Sequence, residues 1–207
     1  GIYEIDSEIS TCSELQNIKY DLTASYELMN DIDCSETYSW DSGSGFDPIG
    51  DTSTTYPGFT GVLDGKGYEI SNMIISRPDE SYVGIFASLG EGAIVKNLGL
   101  KNIGISGRYA VGALAGYSLG TIKDTYSKSG SIASSDSSSY VGGLVGEKSE
   151  GIIENTYTTG GVYGSNIIGG IVGQCGSGGG ECIIKNSFST SSVRGSGYNG
   201  GLIGWIY

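Results

Sequence analysis

The chain has 207 residues, of which 38% are apolar, 37 are glycine, 3 are proline and none is histidine. Glycine without a three-residue period excludes collagen, and recurring runs of Ile, Val, Leu and Tyr exclude a disordered linker. With 23 acidic against 11 basic residues, a formal charge of −12, no nucleic-acid partner is expected, and no apolar run reaches the roughly 20 residues of a membrane span.

The start, Gly1-Ile2-Tyr3-Glu4, has neither the basic lead nor the apolar core of a signal peptide, as expected of a processed chain or an excised domain. Thr11-Cys12-Ser13-Glu14 has the form of a capping box and predicts a short amphipathic helix with Leu15 and Ile18 on one side. Tyr26 to Asp33 alternates like a strand. Phe46-Asp47-Pro48-Ile49-Gly50 and the stretch from Phe59 to Ile70 read as a lead-in to a series of coils. Residues 1–60 are therefore expected to form a cap and the first irregular coils, with the helix shielding an open sheet edge.

From residue 61 onward the sequence repeats itself. Val83-Gly84-Ile85-Phe86-Ala87 is followed by Val111-Gly112-Ala113-Leu114-Ala115-Gly116, then by Val141-Gly142-Gly143-Leu144-Val145-Gly146. Ile168-Gly169-Gly170-Ile171-Val172-Gly173 and Asn199-Gly200-Gly201-Leu202-Ile203-Gly204 complete the series, and the starts lie 28, 30, 27 and 31 residues apart. A second signature runs through Val95-Lys96-Asn97, Ile122-Lys123-Asp124, Ile153-Glu154-Asn155 and Ile184-Lys185-Asn186. A third, weaker strand carries Ile105, Ile132, Val162 and Val193 at the same phase.

Three strands in about thirty residues are too short for helical repeats or a four-stranded propeller blade. They predict an all-β solenoid of about 28–31 residues per coil, residues 61–207 forming one continuous domain. Equivalent strands would pair in parallel at about 4.7–4.9 Å. Tyr126, Tyr157 and Phe188 would then stack, and Asn97, Asp124, Asn155 and Asn186 would form a polar ladder at a corner. The paired glycines offer both unusual backbone conformations and room for close packing.

These residues resemble the GLUG motif, with Gly143-Leu144-Val145-Gly146 and Gly201-Leu202-Ile203-Gly204 matching best and Ser88 replacing the closing glycine of the first copy. The motif is found in large bacterial and archaeal surface proteins, adhesins and the non-catalytic part of some immunoglobulin-A-cleaving proteases among them. The resemblance implies a right-handed parallel β-helix on a prokaryotic cell surface and no reaction.

Four cysteines allow three connectivities, of which Cys12–Cys34 and Cys175–Cys182 are expected. A zinc site is disfavoured by the lack of histidine and of C-x₂-C spacing. Disulfides place the chain in an oxidising, extracellular compartment.

Candidate chemistry is sparse. Asp31, Asp33, Asp64 and Glu69 are the carboxylates a carbohydrate-active β-helix enzyme would draw on, but Asp64-Gly65 is turn chemistry, and the reading is non-enzymatic with no cofactor. Calcium would be held by Asp31 and Asp33 with Asp47 or Asp51. Tyr109, Tyr140 and Tyr198 beside the signatures are expected to stack between coils, with glycan stacking as their functional alternative. The run Leu202, Ile203, Trp205, Ile206 and Tyr207 is an apolar, uncapped strand. It is expected to be a self-assembly interface, or to meet a neighbouring domain of a larger surface protein.

Overall fold

The computed structural model describes residues 7–50, 58–176 and 179–207. In it Val83, Val111, Val141, Ile168 and Asn199 stand side by side in one row, so the spacing of the signatures is the register of the sheet. The second signature aligns Tyr26, Leu63, Val95, Ile122, Ile153 and Ile184 in another row. A third row holds Ile75, Ile105, Ile132, Val162 and Val193. Among the described residues all strand-to-strand ladders are parallel, with one isolated antiparallel bridge between Gly45 and Ile75, and the chain is a parallel β-solenoid of about five turns.

The expectation of three strands per coil is corrected to five short segments. The coil that begins at Thr121 runs through Thr121–Lys123, Tyr126–Ser134, Tyr140–Gly142 and Val145–Lys148. Its second strand shifts register between Ser127 and Gly130, which makes two segments of it. Both signatures contain their own corner, which no run of alternating residues reveals.

The first corner is turned by Asn97, Asp124, Asn155 and Asn186, with φ between 46° and 53°. This left-handed region is cheapest for glycine, then for Asn and Asp, whose short side chains bond locally. The side chains also bond from coil to coil: Asn97 Nδ2 donates to Asp64 Oδ1 at 2.9 Å, Asn155 Nδ2 to Asp124 Oδ1 at 2.9 Å, and Asn186 Nδ2 to Asn155 Oδ1 at 3.4 Å.

The second corner lies inside the glycine signature, and here space decides rather than φ. None of the signature glycines adopts a left-handed φ. A Cβ on Gly142 would collide with the carbonyl oxygen of Val145, and one on Gly143 with that of Gly170 in the next coil. The main chain is folded so tightly that only a hydrogen atom fits.

Inward positions are closed by Val95, Ile122, Ile153, Val111, Val141, Val145 and Val172, all fully buried. Outside, Tyr126, Tyr157 and Phe188 stack as expected, with centroids 4.9 and 5.3 Å apart and planes within 10°. Such pairs add about 0.5–1.5 kcal/mol each beyond the area they cover.

At the N-terminal end, helix α1 (Cys12–Asn17) is opened by Thr11, whose side chain accepts from the Glu14 amide while Glu14 accepts from the Thr11 amide. Leu15 and Ile18 are fully buried in the core. Gln16 fixes the following loop through two bonds to the Asp47 main chain, at 2.7 and 2.8 Å. The single strand expected over 26–33 is instead two, Ser25–Leu28 and Ile32–Asp33, in different sheets with a corner between them. Ile49 and Phe59 bridge to Phe86 and Leu89, extending the sheet that carries the closing half of the signature.

Candidate functional site

The carboxylates raised as catalytic candidates are all engaged, Asp31, Asp33 and Asp64 with backbone amides and Glu69 with side chains. Asp31 Oδ1 accepts from the Glu69 amide at 2.8 Å, and Asp33 Oδ1 from the Ser35 amide at 2.9 Å and Asn72 Nδ2 at 3.1 Å. Asp64 accepts from the Lys66 amide and from Asn97, and pairs with Lys96 at 3.1 Å. Burial raises the Asp64 carboxyl, but those donors outweigh it and leave the pKa below the usual range. Glu69 takes the Tyr126 hydroxyl at 2.7 Å and the Lys128 ammonium, which hold its carboxyl down as well.

Of the residues proposed for calcium, Asp47 pairs with Lys19 at 3.2 Å and with Arg77 at 3.7 Å, while Asp51 lies outside the described residues. No cluster of three or more metal-ligating side chains occurs among the described residues. Nor, among them, is any helix long and apolar enough to cross a membrane.

The structure joins Cys12 to Cys34 and Cys175 to Cys182, with Cα atoms 5.3 and 5.7 Å apart. The first bridge ties α1 to the residue that follows strand Ile32–Asp33. The second closes the loop that leads into the last coil.

Tyrosines gather where the two halves of the signature meet on the outside. Tyr82 contacts Tyr109 and Tyr117 edge to face at 5.9 and 6.1 Å, and Tyr109 contacts Tyr140 at 4.8 Å. Farther along, Tyr198 meets Trp205 at 4.9 Å. Glu147 and Gln174, in the row between Tyr117 and Trp205, are buried. Burial first, then the nearby Tyr140 and Glu147, raise the Tyr109 hydroxyl above its ordinary range. Tyr109 and Tyr140 thus pack on each other between coils, as their places beside the signatures led us to expect, whereas Tyr198 packs on Trp205 of its own coil and faces Ile167 across the ladder. The polar floor of Glu147 and Gln174 has no counterpart among the expected site residues, although it emerges on aligning each signature two residues past its last apolar position.

The C-terminal run separates into two roles. Ile203 and Ile206 continue inward rows, following Val172 and Cys175, whereas Trp205 continues the outward row of Tyr117, Glu147 and Gln174. Ile203 and Leu202 are only partly buried, Trp205, Ile206 and Tyr207 are 39%, 65% and 77% exposed, and Phe188 is 57% exposed at the end of its ring stack. Among the described residues, strand Ile203–Ile206 pairs with Val172–Cys175 alone.

No family model matches the chain. It is 40% identical over 129 residues to Halomucin of Haloquadratum walsbyi, a match covering 60% of this chain and 1% of that protein. It is 38% identical over 119 residues to an Evansella cellulosilytica protein described as a Gly-rich membrane protein, covering 55% of this chain and 13% of the relative. The chain therefore spans only a small part of the length of these relatives. A crystal structure from Bacteroides ovatus, of a protein described as an immunoglobulin A1 protease, superposes with a TM-score of 0.68 at 20% identity. That superposition covers 96% of this chain and 73% of the other, and at this identity the likeness is one of fold: both are β-solenoids.

Proposed function

We propose that this chain is a non-enzymatic structural or adhesive element of a prokaryotic cell surface, working outside the cell as a stiff β-solenoid. The observation that carries the reading is the unbroken stacking of rows from coil to coil, in which inward Val and Ile, corner Asn and outer rings each repeat in register. Stiffness along such a rod comes from ladder hydrogen bonds and close packing, and needs no catalytic site. Both disulfides support an extracellular setting, and the similarity to segments of Halomucin and a Gly-rich membrane protein supports a place at the surface. In its more specific form the element self-associates through the last coil, where Leu202, Ile203, Trp205, Ile206 and Tyr207 leave apolar surface uncovered.

Antibody labelling of intact producing cells tests the reading. Signal before lysis, lost after external protease, is the expected result; signal only after lysis overturns it. The tyrosine cluster beside Glu147 favours a second reading, a polysaccharide-binding or polysaccharide-degrading β-helix. Capture on a glycan array with release of reducing ends would favour that enzyme, whereas capture without release would leave a binding surface.

A further inference from the structure

Tyrosine rings meet one another at several places among the described residues, and one of these pairs is set up for covalent joining. Tyr82 meets Tyr109 and Tyr117 almost at right angles, with centroids 5.9 and 6.1 Å apart. Tyr126 and Tyr157 lie nearly parallel at 4.9 Å; the Tyr126 hydroxyl is tied to Glu69 at 2.7 Å, and Phe188 stacks on the other side of Tyr157. Tyr109 and Tyr140 differ from all of these, with centroids 4.8 Å apart and planes inclined at 53°. After burial, hydrogen bonding with Tyr140 is the largest influence raising the Tyr109 hydroxyl, so the two phenol oxygens are turned toward each other.

The backbone fixes this pair. The Tyr140 amide donates to the Tyr109 carbonyl at 2.7 Å, which sets two rings 31 residues apart in the chain side by side on adjacent coils. Both rings are half-buried, with an edge left to solvent. Glu147 is buried among them, and its negative charge raises the hydroxyls of both Tyr82 and Tyr109. Taking a carboxylate out of water is costly, which marks this position as more than packing.

We propose that Tyr109 and Tyr140 form a modification site, at which an extracellular haem peroxidase using hydrogen peroxide joins two coils through a dityrosine bond. Each tyrosine gives one electron to the oxidised haem and its hydroxyl proton to a base, leaving two neutral phenoxyl radicals. The carbons ortho to the two oxygens form one carbon–carbon bond. The hydrogen on each of these carbons then moves to oxygen as the rings regain aromaticity. In sum two C–H bonds break and one C–C bond forms, and the two electrons and two protons released convert one hydrogen peroxide to two waters. The product holds its phenol oxygens side by side on mutually twisted rings, an arrangement that Tyr109 and Tyr140 already approach. Tyr126 and Tyr157 would have to swing out of their stack to be joined in this way, against Glu69 and Phe188. Oxidation makes a phenol strongly acidic, and Glu147 is the carboxylate of the cluster that takes the proton. Positioning by the backbone replaces a chance encounter of two radicals. The bond deepens the stiff-scaffold reading, on which it rests for exposure to an extracellular oxidant.

The test supplies a haem peroxidase and hydrogen peroxide to the purified, folded 207-residue chain in dilute solution. Dityrosine fluorescence and a peptide map by mass spectrometry are read together. The expected product is a monomer, lighter by two hydrogen atoms, in which the peptides of Tyr109 and Tyr140 are joined. Tyr109→Phe and Tyr140→Phe should each abolish it and Tyr126→Phe should leave it unchanged, with circular dichroism confirming that every variant is folded. Glu147→Gln should slow it roughly a hundredfold, as loss of a positioned base does. Coupling at Tyr126 and Tyr157 instead, coupling only between chains, or no dityrosine in the folded chain overturns the site. An unchanged rate in Glu147→Gln overturns the role of that carboxylate. Because the oxidant is supplied, none of these results depends on surface labelling, so failure of the site and failure of the scaffold reading remain distinct.

Discussion

Lys148 shows what a solenoid does to a residue that a linear reading takes for surface. It occupies the inward row of Leu89, Ser118 and Cys175 and is fully buried. Its Nζ donates to Ser118 Oγ at 3.3 Å, to the Gly120 carbonyl at 2.7 Å and to the Glu150 carbonyl, three acceptors for the three hydrogens of an ammonium. Burial nevertheless pushes its pKa down to about 7, with Glu150 acting the other way. A folded pKa below the unfolded value means that the unfolded chain binds more protons between about pH 7 and pH 10.4. Stability is then penalised below that window and rises through it, by a few kcal/mol at most at about 1.4 kcal/mol per unit. The urea midpoint should increase from pH 7 to pH 9, and Lys148→Met should flatten the dependence. An unchanged midpoint in the unsubstituted chain would mean that its three acceptors keep the amine charged.

At the scale of elements, the two disulfides fasten different things. Cys12–Cys34 spans 22 residues and anchors α1, whereas Cys175–Cys182 spans 7. Loop-closure entropy grows only with the logarithm of length, so removing the bridges should cost about 3 and about 2 kcal/mol respectively. Coils contact only their neighbours, so the first loss should stay local to the cap. Cys12→Ser with Cys34→Ser should therefore split urea unfolding into an early transition for the cap and a later one for the repeats. One transition shifted as a whole would show that cap and coils unfold together. The repeats are legible in the sequence because register and spacing are the same quantity: Val111, Val141 and Ile168 align on paper as they align in the sheet. The cap is less legible because its order comes from single long-range contacts, such as Gln16 with Asp47, that have no periodicity. The corners are hidden for a related reason. Gly142 is required by the Val145 carbonyl three residues away, a crowding that no alternation of polar and apolar residues records.

Across the whole molecule, burial declines toward the last coil. Ile122 and Ile153 have a coil on each side and are fully buried, while Ile184, in the same row, is only partly covered, as are Val193 and Ile203 in theirs. If stability is the sum of each coil and its contacts with neighbours, a coil with one neighbour opens more readily than a coil with two. Amide hydrogen exchange under conditions that keep the chain monomeric should be slowest in strands Thr121–Lys123 and Gly151–Glu154 and fastest in Ile203–Ile206. Uniform exchange along the rod would show instead that the chain opens as one cooperative unit, and the nearest-neighbour account would fail with it.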